Sequence, residues 1–224
     1  MPREEFQHGL DEIEALLQDQ GRLCRRALGE VMLALNAGNV DRARSVIAAD
    51  DEVDALYLRV EEDIETLLAR QSPVAIDLRL VLAMIHINQH LERIGDQCVN
   101  IAKLVQLLDG STLPDEVSAE LTLMGDQAGV MVQQAMEAFG ARDVPRAAQL
   151  VDMDQVINRA HHGLSQRIMR AEAGGGDPEA GLRAIVIGRC LERVGDNAVD
   201  IGERVAYLVT AEFREFTDAS HPVT

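Results

Sequence analysis

The same ten-residue pattern occurs twice in this chain, a hundred residues apart: LERIGDQCVN begins at Leu91 and LERVGDNAVD begins at Leu191. Each copy places oxygen-bearing side chains at four-residue intervals, so in a helix they lie along one stripe. These side chains are Glu92, Asp96 and Asn100 in the first copy and Glu192, Asp196 and Asp200 in the second. Neighbouring carboxylates repel one another, so each stripe costs stability unless a positive charge lies beside it.

The composition favours an all-α fold. Of the 224 residues, 47% are hydrophobic but only 3% are aromatic, and residues that favour helices over strands dominate. Glycines and prolines divide the sequence into six predicted helices. Their ranges are roughly 4–37, 40–70, 74–109, 115–140, 144–173 and 178–211.

The two halves of the chain resemble each other outside the ten-residue pattern as well. The second predicted helix opens with Asn39-Val-Asp-Arg-Ala43 and the fifth with Asp143-Val-Pro-Arg-Ala147, and both continue into an acid-rich segment. A duplicated three-helix unit explains this similarity. We therefore predict two tandem three-helix bundles related by internal pseudo-symmetry, over residues 1–110 and 111–224.

In the third and sixth predicted helices, apolar residues recur every three or four positions and form a stripe that faces the core. They are Leu80, Met84, Ile87, Leu91, Ile94, Cys98, Ile101, Val105 and Leu108 in one helix, and Ile187, Leu191, Val194, Ala198, Ile201, Val205 and Leu208 in the other. At about 100° per residue the acidic stripes point away from this core, and so does Glu203. We expect these carboxylates on the outside of their bundles, within reach of water, a metal ion or a partner.

The second and fifth predicted helices add oxygen-rich pairs of their own, so each bundle would bring two pairs onto adjacent helices. For one pair alone, a solvated charged stripe is the more ordinary explanation. The repetition favours a cation bound between helices, and oxygen ligands suit Mg, Mn, Ca or iron. The candidate metal ligands are Asp50, Asp54, Glu92, Asp96, Asn100, Asp154, Asn158, Glu192, Asp196 and Asp200.

Several residues near these pairs have more than one interpretation. Gly95 and Gly195 lie in mid-helix, where they allow either close helix packing or room for a ligand. Arg93 and Arg193 would orient the carboxylates as ion-pair partners. Among the histidines, His86 and His90 fall off the acidic stripe and fit a structural role. His161 and His162 follow Asp154 and Asn158 by about one turn; either would reach a site there, although solvated histidines are the simpler expectation.

The charge and the cysteines exclude several classes of function. A formal net charge of −17 repels nucleic acid and anionic lipid surfaces. Cys24, Cys98 and Cys190 have no metal-binding or redox spacing and fit buried, reduced thiols of a cytoplasmic protein. The sequence shows no secretion signal and no apolar run of membrane-spanning length. It also shows no nucleophile with a neighbouring base and no phosphate-binding loop, so we predict no catalytic residues.

Together, Asp77-Leu-Arg79, the two LER-(I/V)-GD segments, Val99-Asn-Ile-Ala102 and Val205-Ala-Tyr-Leu-Val-Thr210 resemble the PhoU family over almost the whole length. This resemblance implies two three-helix bundles that bind metal ions, such as Fe, Zn, Mn or Mg, through the acidic pairs on their outer faces. It also implies a cytoplasmic negative regulator of high-affinity phosphate uptake and of the phosphate-starvation response. The expected partners are the ATPase subunit of the phosphate ABC transporter, the phosphate sensor histidine kinase at the inner membrane and a second copy of the chain.

The chain departs from the family pattern at three positions. Gln97 and Asn197 stand where many relatives carry histidine after the motif aspartate, and Asn158 replaces a carboxylate. Two alternatives therefore remain open from the sequence. One is a carboxylate-bridged metalloenzyme or metal-storage bundle, although Glu-x-x-His pairs facing the core are absent. The other is a plain helical scaffold whose acidic faces bind basic partners.

Overall fold

The structure, a computed structural model, describes residues 2–108, 111, 113–173, 176–213 and 215–216. These residues form seven helices and no strand. The helices are α1 (Pro2–Ala37), α2 (Val40–Arg70), α3 (Ala75–Leu107), α4 (Asp115–Ala141), α5 (Val144–Ala148), α6 (Leu150–Ala173) and α7 (Pro178–Thr210). The predicted all-α fold is confirmed.

The helices form two bundles that pack side by side. In the first bundle α1, α2 and α3 contact one another, and in the second α4, α6 and α7 do so, with the short α5 against α4 and α7. The bundles meet where α3 lies along α7 and α1 lies along α4. This is the predicted pair of three-helix bundles. The proposed boundary between residues 110 and 111 falls beside Gly110, which is outside the described residues.

The predicted apolar stripes of α3 and α7 do face the core. Every predicted core residue of these two helices is buried except Leu80, which is half-buried against the core. The buried residues of the two bundles form one continuous apolar cluster. Because α3 and α7 each contribute to it, the acidic residues on their opposite faces are held at fixed positions.

Equivalent local signals start α2 and α5, in line with the duplication. The side chain of Asn39 accepts a hydrogen bond from the Arg42 amide (2.9 Å), and that of Asp143 accepts one from the Arg146 amide (2.9 Å). Each side chain satisfies an amide that has no partner within the helix. The similarity first seen between residues 39–43 and 143–147 therefore reflects a shared helix N-cap.

The fifth predicted helix, 144–173, is wrong as a continuous element, because it breaks at Gln149 into α5 and α6. The reason is a side chain from α4. Gln134 Nε2 donates to the carbonyl oxygen of Arg146 (3.0 Å), which in an uninterrupted helix would accept the amide of residue 150. The other predicted helix ends agree with the structure within a residue or two, and the predicted end at residue 109 lies outside the described residues.

Across the part of the chain that the structure describes, the helices are too polar or too short in their apolar stretches to cross a membrane.

Candidate metal sites between neighbouring helices

Four carboxylates from α2 and α3 form what we call the first acidic site: Asp50, Asp54, Glu92 and Asp96. Burial, followed by the negative charges of Asp54 and Asp96, raises the pKa of Asp50 to about 6. The pKa of Glu92 is raised by burial and then by the charges of Asp96, Asp54 and Asp50. Each helix therefore acts electrostatically on the carboxylates of the other. The structure brings these four predicted residues together.

The mid-helix glycines lie opposite the acids of the neighbouring helix. A Cβ on Gly95 would lie 3.2 Å from Asp50 Oδ1, and one on Gly195 would lie 2.7 Å from Asp154 Oδ1. Of the two explanations left open by the sequence, close packing against a neighbouring helix is the one that the structure shows. The absent side chain lets the neighbouring helix approach closely, and the space is filled by an aspartate at the same place in both bundles.

The corresponding residues of α6 and α7 form the second acidic site: Asp154, Asn158, Glu192 and Asp196. Burial, together with the negative charges of Asp196 and Glu192, raises the pKa of Asp154 to about 6. Asn158 Nδ2 donates to Asp154 Oδ2 (2.6 Å), which partly offsets that rise. The Oδ1 atoms of Asp154 and Asn158 are buried and have no hydrogen-bond partner among the described residues. Such unpaired buried oxygens are costly unless another group binds them.

Glu192 has an arginine partner on its own helix and a histidine neighbour on α6. Its Oε2 atom is paired with Arg189 of the same helix and lies 3.2 Å from His161 Nδ1 of α6. Arg193, predicted to pair with acids on nearby turns, is not the ion-pair partner of Glu192, although its charge partly offsets the rise that burial causes in the pKa of Asp196. Arg189, three residues earlier, lies on the same side of the helix as Glu192, whereas the adjacent Arg193 is exposed on another side. Arg93 is also exposed, although its charge lowers the pKa of Glu92.

The two residues one turn further along have different surroundings. Asn100 is exposed at the surface beyond Asp96. Asp200 Oδ2 lies 3.4 Å from Nδ1 of His90, a residue of α3 that is only 6% exposed and that also contacts Asn197 Oδ1 (2.9 Å). Asp200 therefore lies where the two bundles meet. It shares a cleft of about 390 Å³ with Asp154 and Asp196, lined by His90, Asp154, Asp196, Val199, Asp200, Glu203, Arg204, Phe213 and Glu215.

The expectation that Glu203 lies outside with the other acids is wrong. It is 6% exposed, and its Oε1 atom accepts a hydrogen bond from the Phe216 amide (2.8 Å). Phe216, beyond the end of α7, lies back against this helix beside Gly202 and contacts the Glu203 carboxylate. Helical periodicity correctly predicts the side of α7 on which Glu203 lies. It carries no information about Phe216, which contacts that side chain from later in the chain.

Two of the residues that depart from the family pattern are buried in α3 and α7. Gln97 and Asn197 are each 8% exposed, and Asn197 contacts His90 across the junction of the bundles. They therefore lie away from the outer acidic faces. The three cysteines are buried, as predicted.

As the side chains stand, no three of the His, Cys, Asp and Glu residues within the described ranges converge tightly enough to hold a metal ion. The donor set nevertheless fits a divalent cation. Carboxylate oxygens from two helices are crowded together, Asp154 Oδ1 lacks a partner, and each mid-helix glycine leaves room for the aspartate opposite it. An ion shared between the helices would need oxygens from both of them to converge on it.

Comparison with known proteins agrees with the duplicated architecture. The model of the PhoU domain matches residues 17–105 and again residues 121–205, one match in each bundle. A phosphate-specific transport system accessory protein PhoU homolog from Zymomonas mobilis is 29% identical over 208 residues, which is 92% of this chain and 87% of the relative. PhoU homolog 1 of Thermotoga maritima is 33% identical over 196 residues, covering 87% and 84% of the two chains.

Two solved structures have the same fold. The crystal structure of PhoU from Pseudomonas aeruginosa superimposes with a TM-score of 0.86 at 28% identity, covering 92% of this chain and all of the other. The phosphate transport system regulatory protein PhoU from Streptococcus pneumoniae gives a TM-score of 0.86 at 28% identity, covering 93% and 99%. With both halves matched by the domain model and the fold shared over nearly the whole length, the chain belongs to the PhoU family.

Proposed function

We propose that this protein is a cytoplasmic, non-enzymatic accessory protein of a phosphate transport system that restrains high-affinity phosphate uptake and phosphate-starvation signalling. The observation that carries the proposal is the match of both bundles to the PhoU domain. The relatives are named as accessory or regulatory proteins of phosphate transport, and this chain covers most of their length. The proposed partners are the transporter ATPase subunit, the sensor histidine kinase and a second copy of the chain.

The proposal includes metal binding at both acidic sites. Asp50, Asp54, Glu92 and Asp96 would hold an ion in the first site, with Asn100 one turn further along. Asp154, Asn158, Glu192 and Asp196 would hold one in the second, with Asp200 beyond them. A bound cation would supply positive charge and join two helices. Support comes from the raised pKa values of Asp50 and Asp154, which reflect burial first and then repulsion from neighbouring acids; a bound cation would favour the charged form of both carboxyls.

Residues of the chain itself would transmit the effect of the bound cation to the protein surface. Without a cation the carboxylates of α2 and α3, and those of α6 and α7, push the two helices apart. Gly95 and Gly195 let α2 and α6 lie close against α3 and α7, and a cation that neutralised the charge would hold them there. The exposed faces of these helices would then be held in one geometry for docking.

A binding assay with the partner tests the proposal. The tagged protein is used to capture the ATPase subunit of the phosphate transporter, once with added Mn²⁺ or Zn²⁺ and once with chelator. We expect capture that weakens in chelator and in a variant with Asp96→Ala and Asp196→Ala. The matched control combines Asp51→Ala and Asp152→Ala, which remove exposed acids of α2 and α6. No capture by the wild-type protein under either condition would contradict the proposed role.

A further inference from the structure

The two acidic sites differ at one equivalent position. Tyr57 stands seven residues after Asp50 in α2, and His161 stands seven residues after Asp154 in α6. Both side chains lie on the side of their helix that faces the motif glutamate. His161 Nδ1 is 3.2 Å from Glu192 Oε2. The pKa of Tyr57 is raised first by its hydrogen bond to Glu61, then by burial and by the charge of Glu61, with the charge of Glu92 as the last contribution. A phenol in one bundle is thus replaced by an imidazole in the other.

The side chain of His161 packs against α7. Its side chain is 19% exposed and that of Glu192 is 13% exposed, so their contact is largely shielded from water. A Cβ on Gly188 would lie 3.1 Å from His161 Cδ2, so the glycine gives the ring its room. In the first bundle the equivalent position is Asn88, whose Nδ2 atom donates to the carbonyl oxygen of Tyr57 (3.1 Å). The difference between the bundles therefore extends to the residue behind the ring.

The distance between His161 and Glu192 fits two ligands of one ion. In a tetrahedral site, ligands about 2.0–2.1 Å from zinc are roughly 3.3 Å apart. Nδ1 of His161 and Oε2 of Glu192 are 3.2 Å apart. Arg189 now pairs with the same oxygen, but its side chain is 52% exposed, so giving up this ion pair costs little.

The first site offers different donors. Tyr57 donates its hydroxyl hydrogen to Glu61 Oε1 (2.8 Å) and so remains protonated, which makes it a weak ligand. Asp54 supplies a carboxylate where the second site has the neutral amide of Asn158. Hard cations such as Mg²⁺ and Mn²⁺ prefer oxygen ligands, and carboxylate charge strengthens their binding. Zinc, cobalt and iron accept imidazole together with carboxylate.

We infer that the two sites of this chain select different metals, with His161 as the specificity-determining ligand. The second site takes a borderline cation of the zinc or cobalt type through His161, Glu192, Asp154 and Asp196. The first site takes a hard cation of the magnesium or manganese type through carboxylates alone. This inference rests on the metal binding included in the proposed function.

The test measures the binding of Zn²⁺ and Mn²⁺ to metal-free protein by titration calorimetry, in the wild type and in His161→Gln. The matched control is His162→Gln, because His162 is exposed on the neighbouring position of α6, where its Nδ1 atom is hydrogen-bonded to the Asn158 carbonyl oxygen (2.7 Å) and its ring lies edge-on to that of His161. We expect His161→Gln to weaken Zn²⁺ binding on the order of tenfold or more and to leave Mn²⁺ binding unchanged. Tyr57→His should add Zn²⁺ affinity at the first site.

A second measurement needs no variant. In the wild-type protein, nitrogen NMR of the histidine side chains should show Zn²⁺-dependent shifts for His161 and unchanged signals for His162. Equal Zn²⁺ affinity in the two histidine variants, with His161 signals unmoved by Zn²⁺, would overturn the inference while leaving metal binding itself intact. Absence of any metal binding by the wild type would overturn it together with the metal part of the proposed function.

Discussion

Asp50 and Asp154 occupy equivalent places in the two bundles, and folding disfavours the charged form of both carboxyls. Each is partly buried beside acids of the neighbouring helix, and the pKa of each is raised to about 6 from a usual value of 3.8. The folded protein therefore holds these protons more tightly than the unfolded chain does. The resulting stabilisation is complete below about pH 4 and is lost as the pH rises through about 6. Near neutral pH both carboxylates oppose folding in the absence of a cation.

Asp50→Asn tests this cost directly. In chelator at pH 7 we expect the variant to have a higher free energy of unfolding than the wild type, by about 1 kcal/mol after allowing for solvent screening of a half-exposed group. The advantage should shrink towards pH 4, where the wild-type carboxyl is protonated in the folded state. Urea denaturation at both pH values measures it.

Asp51→Asn is the control for that experiment, because Asp51 is the exposed neighbour on the same turn of α2. If the Asp50 variant gained no more than this control at pH 7, the proposed repulsion within the first acidic site would be wrong. The same holds if the gain were as large at pH 4 as at pH 7.

At the scale of single helices, α1 and α4 end in the same way. Gly38 and Arg142 both have positive φ, of 58° and 55°. The following residue in each case donates its amide to a carbonyl five residues earlier, Asn39 to Ala34 (2.9 Å) and Asp143 to Ala138 (3.0 Å). Both are left-handed helix caps. Glycine takes this conformation without strain, whereas Arg142 gains from an ion pair with Glu14 and from stacking over Phe139.

Two glycines near the end of α1 allow a matched comparison of backbone effects. A Cβ on Gly29 or on Gly38 meets no atom within 4 Å, so neither substitution creates a clash. Gly29 is inside the helix, and we expect Gly29→Ala to raise the free energy of unfolding by roughly 1 kcal/mol. Gly38 is left-handed, and we expect Gly38→Ala to lower it by roughly 1 kcal/mol. Thermal denaturation that gave both substitutions the same sign would contradict the assignment of this helix end.

The sequence predicted those elements whose signals are local. The range of α2 follows from its cap at Asn39 and from the segment around Pro73, and the core stripes of α3 and α7 follow from periodicity alone. The break at Gln149 depends on Gln134 of another helix, and the burial of Glu203 depends on residues after α7. The pairing of Asp50 with Gly95 also needed the packing of two helices. Contacts between elements are where local patterns carry no information.

The same limit applies to the candidate sites. Spacing along the chain identified the acids that each helix brings, including Asp154 and Asp196. It did not choose between His161 and His162 as the neighbour of Glu192, and it pointed to Arg193 where the structure has Arg189. The sequence alone shows that Tyr57 and His161 stand at equivalent positions, seven residues after Asp50 and Asp154. Its meaning depended on knowing that both rings face a motif glutamate.

At the scale of the whole molecule, the bundles share one apolar core. The contacts of α3 with α7 and of α1 with α4 are as much a part of that core as those within either bundle. At the junction, His90 of the first bundle is buried against Asn197 and Asp200 of the second. The duplicated halves therefore depend on each other for burial of their apolar faces.

We expect the protein to unfold in a single cooperative transition. Separating the bundles would expose the apolar faces of α1, α3, α4 and α7 to water, which costs free energy in proportion to the area exposed. Differential scanning calorimetry in chelator should give one peak, with equal calorimetric and van't Hoff enthalpies. Two resolved transitions, one for each half, would show that the bundles are independent domains.

Anomalous diffraction from crystals of the metal-loaded protein tests metal binding at the two acidic sites, because it locates bound ions without any variant. We expect one anomalous peak or cluster between α2 and α3, beside Asp50, Asp54, Glu92 and Asp96. We expect a second between α6 and α7, beside Asp154, Glu192 and Asp196. Peaks confined to other surfaces, or acidic sites without anomalous signal after soaking with Mn²⁺ and Zn²⁺, would contradict the account.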